Sequence, residues 1–309
     1  MAEKDKIFSA GGQAVIEGVM MRSMHRLAIA VRRPDGRISV KKETIESIAD
    51  RHSFLRWPFI RGIFNLVQML ILGFRGLIHS ANETMDKIEE ELTFLEVLIS
   101  IILAVGFAII LFKFVPLLIA QYFYSRFPVV EESNILFNII DGFTKILLFV
   151  FYVFIISLMK DVRRLFEYHG AEHKTINCYE DRKKLTVSNV RKYSTLHPRC
   201  GTNFILIVLI LSILVYTTIP GDFSFWAKFG LRLLLLPVIA GISYELLKLT
   251  GRYRDSILMR AVALPGLAVQ KITTREPDRF QIQVGIAALR GVIGKNKENK
   301  KGRKSRKKK

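Results

Sequence analysis

The residues best suited to chemistry lie in one short polar stretch of this 309-residue chain. Both of its cysteines and three of its six histidines fall there, and the candidate metal ligands are His169, His173, Cys178, His197 and Cys200. The first two stand four residues apart, which places both imidazoles on one face of a helix. Zinc prefers imidazole and thiolate donors, so the stretch predicts a transition-metal site with Zn²⁺ as the favoured ion.

The number of donors that bind at once decides what such a site can do. Four donors close the coordination shell and give a structural site, whereas three leave a position open for a water molecule. In the open form the pKa of that water falls toward ~7, and Glu172, on the helical face of His169 and His173, becomes the candidate general base. A third possibility is that Cys200 acts as a nucleophile activated by His197 or His173. The sequence leaves these alternatives open.

Apolar residues are gathered into blocks, and this indicates a membrane protein. Half of all residues are hydrophobic and 22 are Phe. We therefore predict an α-helical polytopic membrane protein with four transmembrane helices. They lie in two hairpins, 97–160 and 203–249, with the helices near residues 97–120, 139–159, 203–219 and 229–247. In the second of these helices, Asp141 and Lys145 stand four residues apart and are predicted to form an ion pair.

Basic residues predict the orientation of these helices. Residues 1–57 hold 11 of them and the segment 161–202, here called the His/Cys segment, holds 9. The loops 126–134 and 220–225 hold one between them. Because loops rich in Lys and Arg stay in the cytoplasm, the His/Cys segment and both termini are predicted to be cytoplasmic.

The N-terminal segment 1–57 is predicted to form a small β-rich cytoplasmic unit. A Pro-Asp-Gly turn at 34–36 separates two strand-like runs, which indicates a β-hairpin. The run 13–20 also has strand character and is interrupted by Glu17. This carboxylate is either an outward-facing strand residue or a second candidate catalytic group.

Residues 58–82 are apolar but carry a polar stripe at helical spacing, formed by Arg61, Asn65, Gln68, Arg75 and His79. Two arginines disfavour a lipid-exposed span, so we predict an amphipathic helix that lies in the membrane interface or packs against the other helices. Glu245 closes the last predicted span on its cytoplasmic side and is the third candidate catalytic carboxylate. Residues 250–294 should form a helical segment that packs on the β-rich unit, so that the cytoplasmic part has an α+β fold.

Positive charge is concentrated at the C-terminus. The net charge is +20, and residues 295–309 contribute nearly half of it. Such a run cannot bury a core, so we predict a disordered tail. Its possible partners are anionic lipids of the bilayer and ribosomal or other RNA.

The chain resembles the YqhQ family of bacterial membrane proteins in five strings. They are GGQAVIEGVMMR at 11–22, EYHGAEHKTINCYE at 167–180, HPRCGTNF at 197–204, SYE at 243–245 and TTREPD at 273–278. The resemblance extends over almost the whole chain up to the basic tail. It implies a protein of the bacterial cytoplasmic membrane and a metal-dependent enzyme, but it supplies neither a reaction nor a substrate.

Two functions of different classes follow from these observations. The first is a zinc-type hydrolase at the cytoplasmic membrane face that acts on a lipid-linked or membrane-peptide substrate. The alternative is a non-enzymatic assembly factor near the translocation machinery or the ribosome, with a structural metal and the basic tail as its anchor. A transporter is disfavoured because the spans lack a chain of midplane charges.

Overall fold

The computed structural model describes residues 10–46, 57, 59–84, 94–253 and 256–293. This part of the chain is mostly helical, with a small antiparallel sheet at its N-terminal end. The strands are β1 (Gly11–Val15), β2 (Gly18–Arg22), β3 (Arg26–Arg32) and β4 (Ile38–Thr44). The helices are α1 (Ile60–Thr84), α2 (Phe94–Ile109), α3 (Val115–Arg126), α4 (Pro128–Glu131), α5 (Asn134–Ile156), α6 (Lys160–Glu180), α7 (Val187–Val190), α8 (Gly201–Tyr216), α9 (Phe225–Leu234), α10 (Leu236–Arg252), α11 (Ile257–Thr273) and α12 (Arg279–Ile293). The predicted basic tail lies outside the described residues.

The four strands form a meander in the order β1-β2-β3-β4. The predicted hairpin is confirmed, because β3 and β4 pair from Arg26↔Thr44 to Arg32↔Ile38 around the Pro-Asp-Gly turn. Gly36 adopts a φ of 81° in that turn, a conformation that glycine reaches without steric cost. The β-rich unit is therefore built from three consecutive hairpins, in which β2 and β3 are each shared by two of them.

The strand character predicted for 13–20 is observed as two strands, and the prediction of Glu17 as an outward-facing strand residue is wrong. Val15 pairs with Gly18, so Ile16 and Glu17 form a tight turn between β1 and β2, and Glu17 has a φ of 49°. The polar residue in the middle of the apolar run therefore stands at a turn and not within a strand. The carboxylate of Glu17 pairs with Arg164, and the Tyr168 hydroxyl donates a hydrogen bond to it at 3.1 Å. Glu17 thus ties the turn to α6.

The sheet is covered on both faces by helices. Strand side chains alternate between the faces, as the pleat requires. Val15, Met20, Leu27, Ile29 and Val31 pack with Leu72 of α1. Val19, Met21, Ala28 and Ala30 pack with apolar residues of α6 and α12, among them Tyr168 and Ala288. The predicted packing of the C-terminal helical segment on the β-rich unit is observed, with α12 as the helix that makes it.

Three helices are long and apolar enough to cross a membrane, by length and composition. They are Ile60–Thr84, Leu98–Arg126 and Asn134–Ile156, and a fourth arises if α9 and α10, bent by 42°, count as one span. Pro237 in the first turn of α10 has no N–H to continue the helix, which accounts for this break. The third predicted span is α8, which has 16 residues and so measures about 24 Å, less than the roughly 30 Å of hydrocarbon.

Helix α1 has two different faces along its 25 residues. One face is buried against the sheet and α10, through small and polar residues such as Gln68, Gly73, Gly76 and Ser80. The opposite face exposes Phe64, Val67, Leu70, Ile71, Phe74 and Ile78. The amphipathic helix predicted at 58–82 is therefore present, and it is also long and apolar enough to cross a membrane.

A charged cluster lies buried among the apolar helices. Asp141 and Lys145 form the predicted ion pair on one face of α5 and are almost fully buried. Arg232 of α9 adds a second cation, with its Nη1 2.8 Å from the Asp141 Oδ2. Its Nη2 donates to the Asn138 Oδ1 at 2.6 Å. One carboxylate therefore holds two cations inside the helical bundle.

Candidate metal centre

The His/Cys segment is mostly helical, because α6 takes up its first half. Gly170 lets this helix approach the backbone of the 273–276 segment, where a Cβ at that position would meet the carbonyl oxygen of Arg275. The Arg275 N–H donates to the Phe166 carbonyl at 2.9 Å and fixes the approach. As a result, the end of α11 lies directly beside the histidines of α6.

Three of the predicted ligands come together. His169 and His173 lie one turn apart on α6, with ring centroids 4.4 Å apart. The Cys200 Sγ lies 3.3 Å from the His169 Nε2, and one donor atom from each of the three residues lies within 4.8 Å of the others. Cys200 is the N-cap of α8, where its Sγ accepts a hydrogen bond from the Thr202 N–H at 3.4 Å. The donors therefore come from two separate helices.

Both histidines are oriented by backbone carbonyls. The Nδ1 of His169 lies 2.8 Å from the Thr273 oxygen, and the Nδ1 of His173 lies 2.5 Å from the Thr195 oxygen. A carbonyl can only accept, so each Nδ1 carries the proton and each Nε2 is left with its lone pair. Histidines that bind metals usually donate their other N–H in this way.

The three donors fit a zinc-type ion. Typical Zn–N and Zn–S bonds in a tetrahedral shell put imidazole nitrogen and thiolate sulfur about 3.6 Å apart. The observed separation between the His169 Nε2 and the Cys200 Sγ is 3.3 Å. Burial also lowers the pKa of His173, which favours the neutral imidazole that binds metals. Two imidazoles and one thiol leave one tetrahedral position without a ligand from this group.

Glu172 lies beside the three donors, deep in the protein. Its Oε2 is 3.4 Å from the His173 Nε2, and the Gly12 backbone N–H of β1 donates a hydrogen bond to the carboxylate. A Cβ at Gly12 would lie 2.5 Å from the Met20 carbonyl oxygen and 3.0 Å from the Glu172 Cγ, so glycine keeps this crowded position free of a side chain. Burial raises the pKa of Glu172, and the neighbouring His169 opposes that rise. The carboxyl group is thus held rigidly next to the donor atoms.

Cys178, the third predicted donor on α6, does not join this group. It stands five residues after His173, which rotates it roughly 140° around the helix. Its side chain packs with Val190, Ile282 and Ile286, and its Sγ lies 3.8 Å from the Lys184 carbonyl oxygen. The structure thus assigns the two cysteines of the chain to different environments.

His197 lies near the donors but does not belong to the group, and both of its ring nitrogens have other neighbours. Its ring centroid is 5.7 Å from that of His173, yet its Nδ1 accepts from the Arg199 N–H at 3.3 Å and its Nε2 lies 3.5 Å from Glu180. The Gln270 side chain holds its backbone at both ends, accepting from the His197 N–H at 2.9 Å and donating to its carbonyl at 3.0 Å. His197 therefore anchors the loop that carries Cys200.

The other two candidate catalytic carboxylates are held in ion pairs away from the donors. Glu245 pairs with Arg61 of α1, whose Nε donates to it at 2.6 Å. Glu17 pairs with Arg164 on a different side of α6. The structure therefore brings Glu172 alone, of the three, next to the histidines and Cys200.

A cavity of about 1100 Å³ gives access to this group. It is enclosed by β1, α1, α6, the loop before α8 and the end of α10. The donors and Glu172 form part of its wall, with three arginines, Arg22, Arg61 and Arg199. The remaining wall is largely apolar, with Leu66, Met69, Leu165, Phe166, Phe204 and Leu247. A ligand of moderate size can therefore reach the donor atoms.

The close approach at Gly170 leads to a testable prediction. Gly170→Ala forces a methyl group against the Arg275 backbone, so we expect a loss of stability of about 1–3 kcal/mol, because a backbone cannot move as freely as a side chain. Thermal unfolding of the purified protein measures it. Gly106→Ala is the matched control, since no atom lies within 4 Å of a Cβ there. Equal midpoints for the two variants would contradict the prediction.

Fold and site together define a mostly helical protein with three or four candidate membrane spans, a small sheet and a buried His/Cys group. The chain belongs to the family described as "Protein of unknown function (DUF1385)", whose model matches residues 57–295. It is 34% identical over 292 residues to the uncharacterized protein YqhQ of Bacillus subtilis (strain 168), covering 92% of each chain. The predicted relationship to the YqhQ family is thereby confirmed. No solved structure matches the chain.

Proposed function

We propose that this protein is a metal-dependent hydrolase of the bacterial cytoplasmic membrane. The observation that carries the proposal is the convergence of two Nε2 atoms and one Sγ on the wall of a cavity, with a carboxylate beside them. His169, His173 and Cys200 would hold the ion, most simply Zn²⁺. Three protein ligands are typical of catalytic zinc sites, whereas structural sites fill all four positions.

The residues of the chain have distinct tasks in this proposal. When bound, a zinc-type ion supplies a Lewis acid and makes water a competent nucleophile near neutral pH. Glu172 takes the proton at a carboxylate oxygen, while the Gly12 N–H holds that side chain in place. The Thr273 and Thr195 carbonyls keep the imidazoles in the tautomer that binds metal. The apolar wall of the cavity limits access of bulk water.

The positions of basic residues support a cytoplasmic site at the membrane. The His/Cys segment is rich in Lys and Arg, and the exposed apolar face of α1 adjoins the unit that contains the cavity. A substrate linked to lipid, or a membrane peptide, would reach the site along this face.

Metal analysis of the purified protein tests the proposal. We expect about one transition-metal ion per chain, and we expect Cys200→Ser to lower the metal content at least tenfold, because thiolate is the strongest donor of the set. Cys178→Ser is the matched control, since it makes the same change on a cysteine outside the group and should keep the metal. Elemental analysis after dialysis gives both numbers.

Two results would contradict the proposal. One is a wild-type protein that stays metal-free after growth with added zinc, and the other is an equal loss of metal in both cysteine variants. Cobalt substitution adds a spectroscopic check, because a Cys–Co²⁺ bond gives a charge-transfer band that Cys200→Ser should remove. Azide should shift the visible bands only if a coordination position is open.

A further inference from the structure

One cation of the cavity wall differs from the others in its partners. Arg61 is neutralised by Glu245 and Arg199 by Glu180. Arg22, at the end of β2, contacts only neutral acceptors among the described residues, namely the Gln68 Oε1 at 2.5 Å and the Met69 Sδ at 2.9 Å. Arg22 is partly buried, and a guanidinium that is partly removed from water without a counter-ion is destabilised, so its position at a cavity wall favours an anionic ligand.

The surroundings of Arg22 hold it in one orientation. The Gln68 Nε2 donates to the Glu46 carbonyl at 3.0 Å, which directs the amide oxygen of Gln68 at the guanidinium. Partial burial lowers the pKa of Arg22, but the group stays charged near neutral pH because its ordinary pKa is far higher. Two of its five N–H donors are used by these neutral contacts, so the others remain for a ligand.

A second set of donors lies close to this arginine. Tyr244 of α10 lines the same cavity, and its hydroxyl oxygen accepts from the Asn65 Nδ2 at 3.0 Å, which leaves the O–H able to donate. Arg61 and Asn65 stand on the same face of α1 as Gln68 and Met69. The polar part of the wall is therefore rich in donors for the oxygens of one anion.

The rest of the wall fits an apolar chain. Leu66 and Met69 line the cavity from α1, and the neighbouring residues Val67 and Leu70 belong to its exposed apolar face. The volume of about 1100 Å³ exceeds what a free phosphate ion needs by more than an order of magnitude. A ligand with an anionic head and an aliphatic chain uses both parts of the wall, and its chain continues onto the exposed face of α1.

We infer that the cavity binds the phosphate group of a lipid, with Arg22 as the residue that recognises it. The inference rests on the proposed function and gives it a substrate class, a phosphate-bearing amphiphile. A guanidinium fork matches two phosphate oxygens at once, and the neighbouring metal-binding group favours a phosphoryl ligand over an uncharged one. The same chemistry in a free phosphate ion is the alternative source.

Binding of dioctanoyl phosphatidic acid to the detergent-purified full chain tests the inference. We expect saturable binding by microscale thermophoresis, and a weakening by about tenfold or more in Arg22→Gln, because the charge-assisted hydrogen bonds are lost. Arg37→Gln is the matched control, since Arg37 is exposed near the tip of the β3–β4 hairpin and should leave binding unchanged. Dioctanoyl phosphatidylcholine, inorganic phosphate and octanoate are the comparison ligands.

A second variant keeps the test decisive if Arg22→Gln folds poorly. Met69→Glu places a carboxylate beside the guanidinium, where the Met69 Sδ now lies 2.9 Å from the Arg22 Nη1. This internal partner should satisfy the cation and weaken binding of phosphatidic acid about tenfold or more, with no loss of thermal stability. Wild-type affinity in a folded Met69→Glu or Arg22→Gln variant would overturn the inference.

The comparison ligands separate the sources of the anion. Equal binding of phosphatidylcholine, or of octanoate, would show that the phosphate monoester is not recognised and would overturn the inference. If inorganic phosphate binds as tightly as phosphatidic acid, the inference of an amphiphilic ligand is wrong and the cavity binds free phosphate. Metal content is measured on the same samples. If the wild-type protein contains no metal, only the proposed function is contradicted. If phosphatidic acid binds equally well without Arg22, only the inference of a lipid-phosphate ligand is contradicted.

Discussion

Under the proposed hydrolase function, replacement of Glu172 by Gln is expected to lower hydrolysis strongly while the proposed metal ion stays bound. An amide has the shape of the carboxylic acid and can still accept the Gly12 hydrogen bond, but it cannot take up a proton. General-base catalysis contributes typically 10²–10⁴-fold, so we expect chelator-sensitive turnover to fall by about that factor. The measurement uses p-nitrophenyl phosphate, bis(p-nitrophenyl) phosphate and p-nitrophenyl butyrate as probe substrates in mixed micelles.

Glu17→Gln is the control for this experiment. Glu17 is also a carboxylate bound to a neighbour of the histidines on α6, but it pairs with Arg164 and does not line the cavity. Its replacement should leave turnover within about twofold of the wild type, since exposed ion pairs contribute little. Full activity in Glu172→Gln would exclude Glu172 as the base. Loss of metal in that variant would instead place Glu172 among the ligands.

Replacement of Asp141 by Leu is expected to cause a large loss of stability. The carboxylate is buried and holds both Lys145 and Arg232, so its removal leaves two buried cations without a described counter-ion. Breaking a buried pair in this way costs about 3–5 kcal/mol, because the charge that remains has lost both water and its partner. We expect the midpoint of thermal unfolding in detergent to fall by about 10 °C.

The double variant Asp141→Leu/Lys145→Met shows whether charge causes this loss. Because this variant also removes the unpaired Lys145 cation, its midpoint temperature of unfolding should lie between those of Asp141→Leu and the wild type, although Arg232 remains. A control on the protein surface is Asp35→Asn, which changes an exposed ion pair in the β3–β4 turn and should change the midpoint little. An unchanged midpoint in Asp141→Leu would mean that the cluster contributes nothing to stability.

Local periodicity explains which parts of the site were predictable. His169 and His173 stand at helical spacing, so the sequence predicts that they share a face, and the structure agrees. Cys178 stands out of phase with the two histidines, so helical spacing alone separates it from them once the helix is known to extend to residue 180. Cys200 comes from a separate loop, and only the fold shows that it meets the histidines and that Cys178 packs in an apolar core.

The groups that orient the site could not be predicted from the sequence, for a different reason. The Thr195 and Thr273 contacts use backbone carbonyls, and the Gly12 contact uses a backbone N–H, so no side-chain type marks them in the sequence. Arg22 and Gly12 both lie in the string that resembles the YqhQ family, which was the available signal.

The fold shows the same difference between local signals, which the sequence reveals, and contacts between distant segments, which it does not. Long apolar runs and the Pro-Asp-Gly turn are local signals, and the helices at 97–120 and 139–159 and the β3–β4 hairpin follow from them. The turn at Glu17 depends on how closely the neighbouring strands pack. Gly18 lies so close to Ala30 of β3 that a Cβ would meet its carbonyl oxygen, a contact no window of sequence reveals.

The two covers of the sheet come from distant parts of the chain. The strands end at Thr44, and α1 follows soon after, but α12 begins only at Arg279. Helices α2 to α11 are synthesised between these two covers. Ala28 and Ala30 therefore lack their final neighbours until α12 has been synthesised, and a nascent chain that stops before α12 carries an uncovered strand face that favours aggregation.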